Sequence, residues 1–283
     1  MWTWIVGGLA AWVVVAVAFG VVLGRGIRLA DERSPGTGVA RPAAPRVAPA
    51  ARRRVPLPPV GVALAFLAVG LETVGYVTRL RGTTGPAAHA LSMDAPWSLP
   101  RVFVATLFAA AALFAVAGAA RNPGRRTWWL AVGAVSAGIA AVKAGSTVHV
   151  TVMEQLTAAT SFAGAVAISA LAAVLVLAVL AVLSRAERRD RRRVLTSLGL
   201  YAFAAVGLSA LPGLLGGQWA AMATFVEESG EALAGVAVLV SVLVGVAPRL
   251  VLPRAWLRRR DDALSLDVPS LDATVLRLPA PQD

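Results

Sequence analysis

The sequence contains seven apolar segments, each long enough to cross a bilayer as a helix. A spanning helix needs about 20 mostly apolar residues, because the hydrocarbon core of a bilayer is about 30 Å thick. In lipid the backbone must satisfy its own hydrogen bonds, which favours helices for segments of this kind. The predicted spans are residues 2–24, 58–77, 102–120, 127–150, 161–183, 194–215 and 228–250. We therefore predict an all-α, polytopic integral membrane protein with seven transmembrane helices.

The composition excludes several other classes of protein. Hydrophobic residues make up 58% of the chain and charged residues 15%, and the mean hydropathy is +0.72. A soluble domain has about a quarter charged residues, so a soluble enzyme and a disordered chain are both excluded. The absence of cysteine excludes disulfides and thiolate chemistry. Because His89 and His149 are the only histidines, we expect no bound metal and no cofactor.

The arginines predict the orientation of the chain and its surroundings. With the N-terminus outside and the C-terminus inside, 23 of the 26 arginines fall on the cytoplasmic side, as the positive-inside rule requires. The net charge of +12 is thus explained by topology and by contact with anionic inner-leaflet lipids, and nucleic acid is not an expected partner. The abundance of alanine, valine, glycine and arginine indicates a bacterium rich in G and C, so we predict the bacterial cytoplasmic membrane as the location.

Four regions follow from these patterns. Residues 1–30 are a transmembrane anchor helix, because the apolar run is too long for a signal peptide and no positive charge precedes it. Residues 31–56 are a linker rich in proline, alanine and arginine on the cytoplasmic side. Residues 57–252 form a six-helix transmembrane bundle. Residues 253–283 are a polar cytoplasmic tail, which we expect to be disordered.

Ionisable residues inside the predicted spans or next to their outer ends are the candidate ligand- or ion-binding groups, because charges in a bilayer are costly and are retained for a function. They are Glu72, Lys143, His149, Glu154, Glu227, Glu228 and Glu231. All seven are predicted near the outer half of the membrane. On one continuous fourth helix, Lys143 and Glu154 would share a face. No residue is predicted to be catalytic.

Each candidate also has a purely structural interpretation. Lys143 needs a partner in the membrane, and the sequence offers a structural ion pair with Glu72 or with Glu231. Glu227 and Glu228 at the start of the seventh span would cap that helix, where its dipole favours negative charge. His149 would be an interfacial histidine hydrogen-bonded to a neighbouring group. These interpretations stand beside the functional ones.

Two short motifs carry a resemblance. The late motif is Glu227-Glu228-Ser229-Gly230-Glu231, and the central one is Lys143-Ala144 followed after four residues by His149-Val150. They resemble a family of uncharacterised actinobacterial multipass membrane proteins, which carry Asp-Glu-x4-His-Glu in a central helix and Glu-Glu-x2-Glu in a late helix. Lys143-Ala144 stands in place of Asp-Glu, and Val150 in place of the final glutamate. The resemblance implies a polar site shared by these two helices.

The sequence leaves several functions open. The first is a structural or accessory membrane component with a membrane-protein partner, since an anchor, an arginine-rich linker and a polar tail suit that role. The alternative is an ion- or small-molecule-binding protein, with proton-coupled transport as its activity. An intramembrane hydrolase is the second alternative; it lacks the usual histidine-rich metal site or Ser/Asp pair, so an enzyme is not expected. A sensor or receptor rests on topology alone.

Overall fold

A computed structural model describes residues 58–185, 188–209, 211 and 215–252 of the chain. All regular secondary structure in these ranges is helical. The predicted anchor helix, the linker and the tail lie outside the described residues. Four described helices are long and apolar enough to cross a membrane, and a fifth span is reached if one bent helix pair is counted as a single crossing. Seven spans, the orientation and the lipid contacts stay predictions.

Eight α-helices, numbered here in chain order, make up the described fold. They are α1 (Pro59–Leu80), α2 (Pro86–Ala90), α3 (Leu99–Arg121), α4 (Arg126–Lys143), α5 (Thr147–Ala159), α6 (Phe162–Leu183), α7 (Arg188–Ala202) and α8 (Gly217–Val246). A π-helical turn, Phe203–Gly207, continues α7. We call the end of the bundle that carries residues 81–98 the upper end, and the end that carries Arg125 the lower end.

Helix α8 is the centre of the bundle. It packs against α1, α3 and α7, and α3 in turn packs against α4. Small residues allow these close approaches, since a Cβ atom on Gly118 would lie 2.9 Å from the Cβ atom of Val246. Gly235 of α8 likewise lies against the ring of Phe108. Close backbone contact through small residues is the usual way in which membrane helices gain packing energy.

The predicted fourth span does not form one straight helix. Helix α4 ends at Lys143, and α5 starts at Thr147 at an angle of 83° to it. Gly145 between them has a φ angle of 102°, a left-handed conformation that glycine adopts without steric cost. The bend breaks the helical period on which the shared face of Lys143 and Glu154 was predicted, so that prediction is wrong.

The last helix also begins earlier than the sequence pattern predicted. Helix α8 starts at Gly217, eleven residues before Glu228. The stretch from Trp219 to Val226 contains no proline or glycine, so nothing in it interrupts the helix. Glu227 and Glu228 therefore lie three turns inside α8. The interpretation that these two residues cap the first turn of the helix is wrong.

Candidate functional site

A buried lysine contacts two buried glutamates near the middle of α8. The Nζ atom of Lys143 lies 2.8 Å from Oε2 of Glu228 and 2.6 Å from Oε2 of Glu231. The three side chains are only 4 to 8% exposed. The two glutamates are three residues apart and so point to the same side of α8. Lys143 is the last residue of α4, where the helix dipole favours a positive charge.

Glu72 brings a third carboxyl group to this region from α1. The residue is 1% exposed, and its Oε2 atom has no hydrogen-bond partner among the described residues. The charges of Glu228, Lys143 and Glu231 all act on the Glu72 carboxyl. The sequence offered Lys143 an ion pair with Glu72 or with Glu231. The structure contains the pair with Glu231. The ammonium group is held by the two α8 glutamates and not by Glu72.

Tyr201 of α7 completes the cluster, and sequence reasoning did not identify it. Its side chain lies close to that of Glu231, and its ring meets that of Phe108 edge-on with a centroid distance of 4.7 Å. A buried tyrosine needs a hydrogen-bond partner, so a tyrosine inside an apolar span was the available signal. We refer to Glu72, Lys143, Tyr201, Glu228 and Glu231 as the buried cluster.

Apolar side chains close the buried cluster above and below. Above it, the rings of Tyr76 and Phe225 stack at 4.9 Å, and Met93 packs on them. Tyr76 lies one turn above Glu72 on α1, and Phe225 lies one turn above Glu228 on α8. Below the cluster, the ring of Phe108 is fully buried against Tyr201. Such an environment has a low dielectric constant, which strengthens the interactions between the charges.

The remaining candidates from the sequence lie outside the buried cluster. His149 and Glu154 are on α5, beyond the bend, and both are exposed. Glu227 is half-buried on α8 next to Glu228. The structure thus brings together four of the seven predicted residues, and the bend at Gly145 separates α5 from them.

The charges within the buried cluster do not balance. The five side chains include three carboxyl groups and one ammonium group, so full ionisation would give the cluster a net charge of two negative charges. An isolated charge in an apolar interior is so costly that the group binds a proton or a counter-ion instead. Within the described part of the chain, no three histidine, aspartate or glutamate side chains are arranged to hold a metal ion.

No protein-family model, curated protein or solved structure matches this chain.

Proposed function

We propose that this protein binds and releases protons at the buried cluster, and that this cluster is the coupling site of a proton-coupled membrane transporter. One observation carries the proposal: the carboxyl groups of Glu72, Glu228 and Glu231 are all buried, and the last two contact the ammonium group of Lys143. A structural ion pair would need one carboxylate. The additional carboxyl groups are costly in an apolar interior and add nothing to a simple pair.

A proton suits this cluster better than a second cation. The ammonium group of Lys143 already lies among the carboxylates and would repel a metal ion at short range. A bound proton has no such cost, because it turns a carboxylate into a neutral carboxylic acid. Glu72 is the residue to carry it, because Lys143 forms its ion pairs with Glu228 and Glu231. The buried Oε2 atom of Glu72 has no hydrogen-bond partner among the described residues, and such an atom costs more when its group is charged.

The cluster then has two states. In the loaded state Glu72 is a neutral acid, and Lys143 is shared between Glu228 and Glu231. When the O–H bond of Glu72 breaks and the proton leaves, a third carboxylate acts on the same ammonium group. Because Lys143 contacts side chains of α8 from the end of α4, a change in its pairing would act on the contact between these helices, as coupling to a carried solute requires.

Infrared spectroscopy of the reconstituted protein tests the bound proton directly. A carboxylic acid has a C=O stretching band that is distinct from the bands of a carboxylate. We expect the wild type to show this band at neutral pH and the Glu72→Gln variant to lose it. In liposomes with a pH gradient, the wild type should move protons when its solute is present, and Glu72→Gln should not.

Glu154→Gln is the matched control, because Glu154 is an exposed glutamate outside the cluster. This variant should keep the acid band and the proton movement of the wild type. The proposal is overturned if the wild type has no acid band at neutral pH, or if Glu72→Gln leaves the band unchanged.

The accessory role is the second candidate, and helix α6 is the observation in its favour. Its side chains at Leu171, Val174 and Leu175 are 61 to 69% exposed, and such a face is suited to lipid or to a helix of another membrane protein. Native mass spectrometry of the protein in its own lipids distinguishes a face covered by lipid from one covered by another membrane protein. A stoichiometric partner mass beside the 29.1 kDa chain supports the accessory role, and its absence argues against it.

A further inference from the structure

The segment above the buried cluster lies directly on the helix that carries Glu72. A Cβ atom on Gly75 of α1 would be 2.6 Å from the carbonyl oxygen of Leu91 and 2.8 Å from Cγ of Met93. Glycine at this position is therefore what lets the segment approach so closely. Met93 is 1% exposed, and it shields the Tyr76 and Phe225 rings and, below them, the charges.

At its rim the same segment is attached to α1 by a weak, exposed contact. Asp94 accepts a hydrogen bond of 3.0 Å from Arg79 of α1, whereas its bond of 2.9 Å from Ser92 lies within the segment. The side chains of Arg79 and Asp94 are 44% and 41% exposed, and ion pairs of this kind contribute little to stability. Met93 thus packs tightly over the cluster, whereas the ion pair at the rim of the segment is one that water can replace.

Arg101 connects this segment to the lysine of the cluster. Its guanidinium group donates a hydrogen bond of 3.1 Å to the carbonyl oxygen of Asp94 and one of 3.4 Å to that of Lys143. Any movement of the segment at Asp94 therefore acts through one side chain on the backbone that carries the ammonium group.

The backbone of the segment is also strained next to Lys143. Trp97 has a φ angle of 63°, which is rare for a residue with a large side chain. Its indole lies against Gly145, at the turn that follows Lys143. Strain of this kind persists only where the surrounding contacts hold it, and it is concentrated at sites that change conformation.

We propose that residues 91–98 are a hatch that controls the access of protons to the buried cluster from the upper end, and that Arg101 is the positioning residue that ties the hatch to Lys143. The proposal rests on the proton-binding function above and adds the route by which protons reach and leave the buried cluster. With the hatch closed, Met93 keeps water away from Glu72. With the hatch raised, water takes the proton from the Glu72 carboxyl and can return another.

Hydrogen–deuterium exchange at the carboxylic acid of Glu72 measures how readily water passes the hatch. After transfer of the reconstituted protein into D2O, the acid C=O band shifts as O–H becomes O–D, and the rate of this shift reports access of water. We expect Gly75→Ala, whose methyl group would push the hatch off α1, to raise the rate by about tenfold or more. Met93→Ala and Arg101→Gln should act in the same direction.

Two matched controls isolate the effect. Gly70→Ala adds the same methyl group to the same helix, where no other helix or loop lies within 4 Å of it, and Met153→Ala removes a methionine from α5. Both should exchange at the wild-type rate. A purely structural role of Gly75 would lower the unfolding temperature and leave the exchange rate at that of Gly70→Ala.

The outcomes separate the two proposals. A wild type without an acid band contradicts the proton-binding function itself. A wild type with the band, whose exchange rate is the same in Gly75→Ala, Met93→Ala and Arg101→Gln, contradicts the hatch and leaves the proton site standing.

Discussion

Helices α8 and α6 are both apolar enough to cross a membrane, yet they occupy opposite positions in the bundle. About 67% of the most apolar stretch of α8 is buried against protein, compared with 6% for α6. Helix α6 contains no ionisable residue, whereas α8 carries Glu227, Glu228 and Glu231. The helix that carries ionisable residues thus takes the central place in the bundle, and the purely apolar helix lies at its periphery.

The physical reason lies in the bilayer as a solvent. Lipid tails solvate leucine and valine as well as a protein interior does, so an apolar helix gains little from being enclosed. A carboxylate in lipid is costly, so the helix that carries it is surrounded by other helices that supply partners. Four predictions test this difference between the enclosed centre of the bundle and its exposed parts, from the largest expected effect to the smallest.

Removal of the charge partner in the centre should have the largest effect. Lys143→Met leaves Glu228 and Glu231 without their ammonium group, and breaking a buried ion pair in this way costs about 3–5 kcal/mol. We expect this loss in the free energy of unfolding, measured in a mild detergent. The triple variant that adds Glu228→Gln and Glu231→Gln should recover most of it. A Lys143→Met protein as stable as the wild type would refute the pairing.

Truncation of a leucine to alanine should cost more free energy of unfolding in α8 than in α6. Leu239 of α8 is 7% exposed and Leu175 of α6 is 63% exposed. Leu239→Ala opens a cavity between helices and should cost about 2–5 kcal/mol of unfolding free energy. Leu175→Ala removes atoms that contact no protein core, so we expect a change within about 0.5 kcal/mol. Equal losses from the two variants would contradict the difference in burial.

A substitution that disturbs the close packing of α3 against α8 should have a smaller effect on the free energy of unfolding. Gly118 of α3 contacts Val246, whereas Gly138 of α4 has open space where a Cβ atom would be. Gly118→Ala should therefore cost about 1–3 kcal/mol through overpacking. Gly138→Ala should gain up to about 1 kcal/mol, because alanine favours the helix. Thermal unfolding of both variants measures the effect, and a stable Gly118→Ala protein would show that α3 and α8 are less tightly packed.

An exposed ion pair should have the smallest effect. Arg79 and Asp94 are both about two-fifths exposed, so Arg79→Gln should cost no more than about 1 kcal/mol. This loss should shrink further at high salt, because exposed charges are screened. A large, salt-independent loss would mean that this pair resembles the buried cluster and is not a weak rim contact of the hatch.

The sequence by itself predicted the helical class of the described residues, and it identified most residues of the buried cluster as candidates. The apolar segments at 58–77, 102–120 and 161–183 coincide with described helices, because the length of an apolar run sets what can cross a bilayer. Lys143, Glu228 and Glu231 were identifiable as candidates, since an ionisable side chain inside such a run is rare and costly.

Only the tertiary structure decided which of these residues meet. Helical periodicity relates residues within one unbroken helix, so it could not anticipate the bend at Gly145, which leaves His149 and Glu154 on the exposed helix α5. Nor does it relate residues on different helices. The contact of Tyr201 with Glu231 and the position of Met93 above the charges depend on how separate helices pack, and packing is set by the shapes of all the surfaces together.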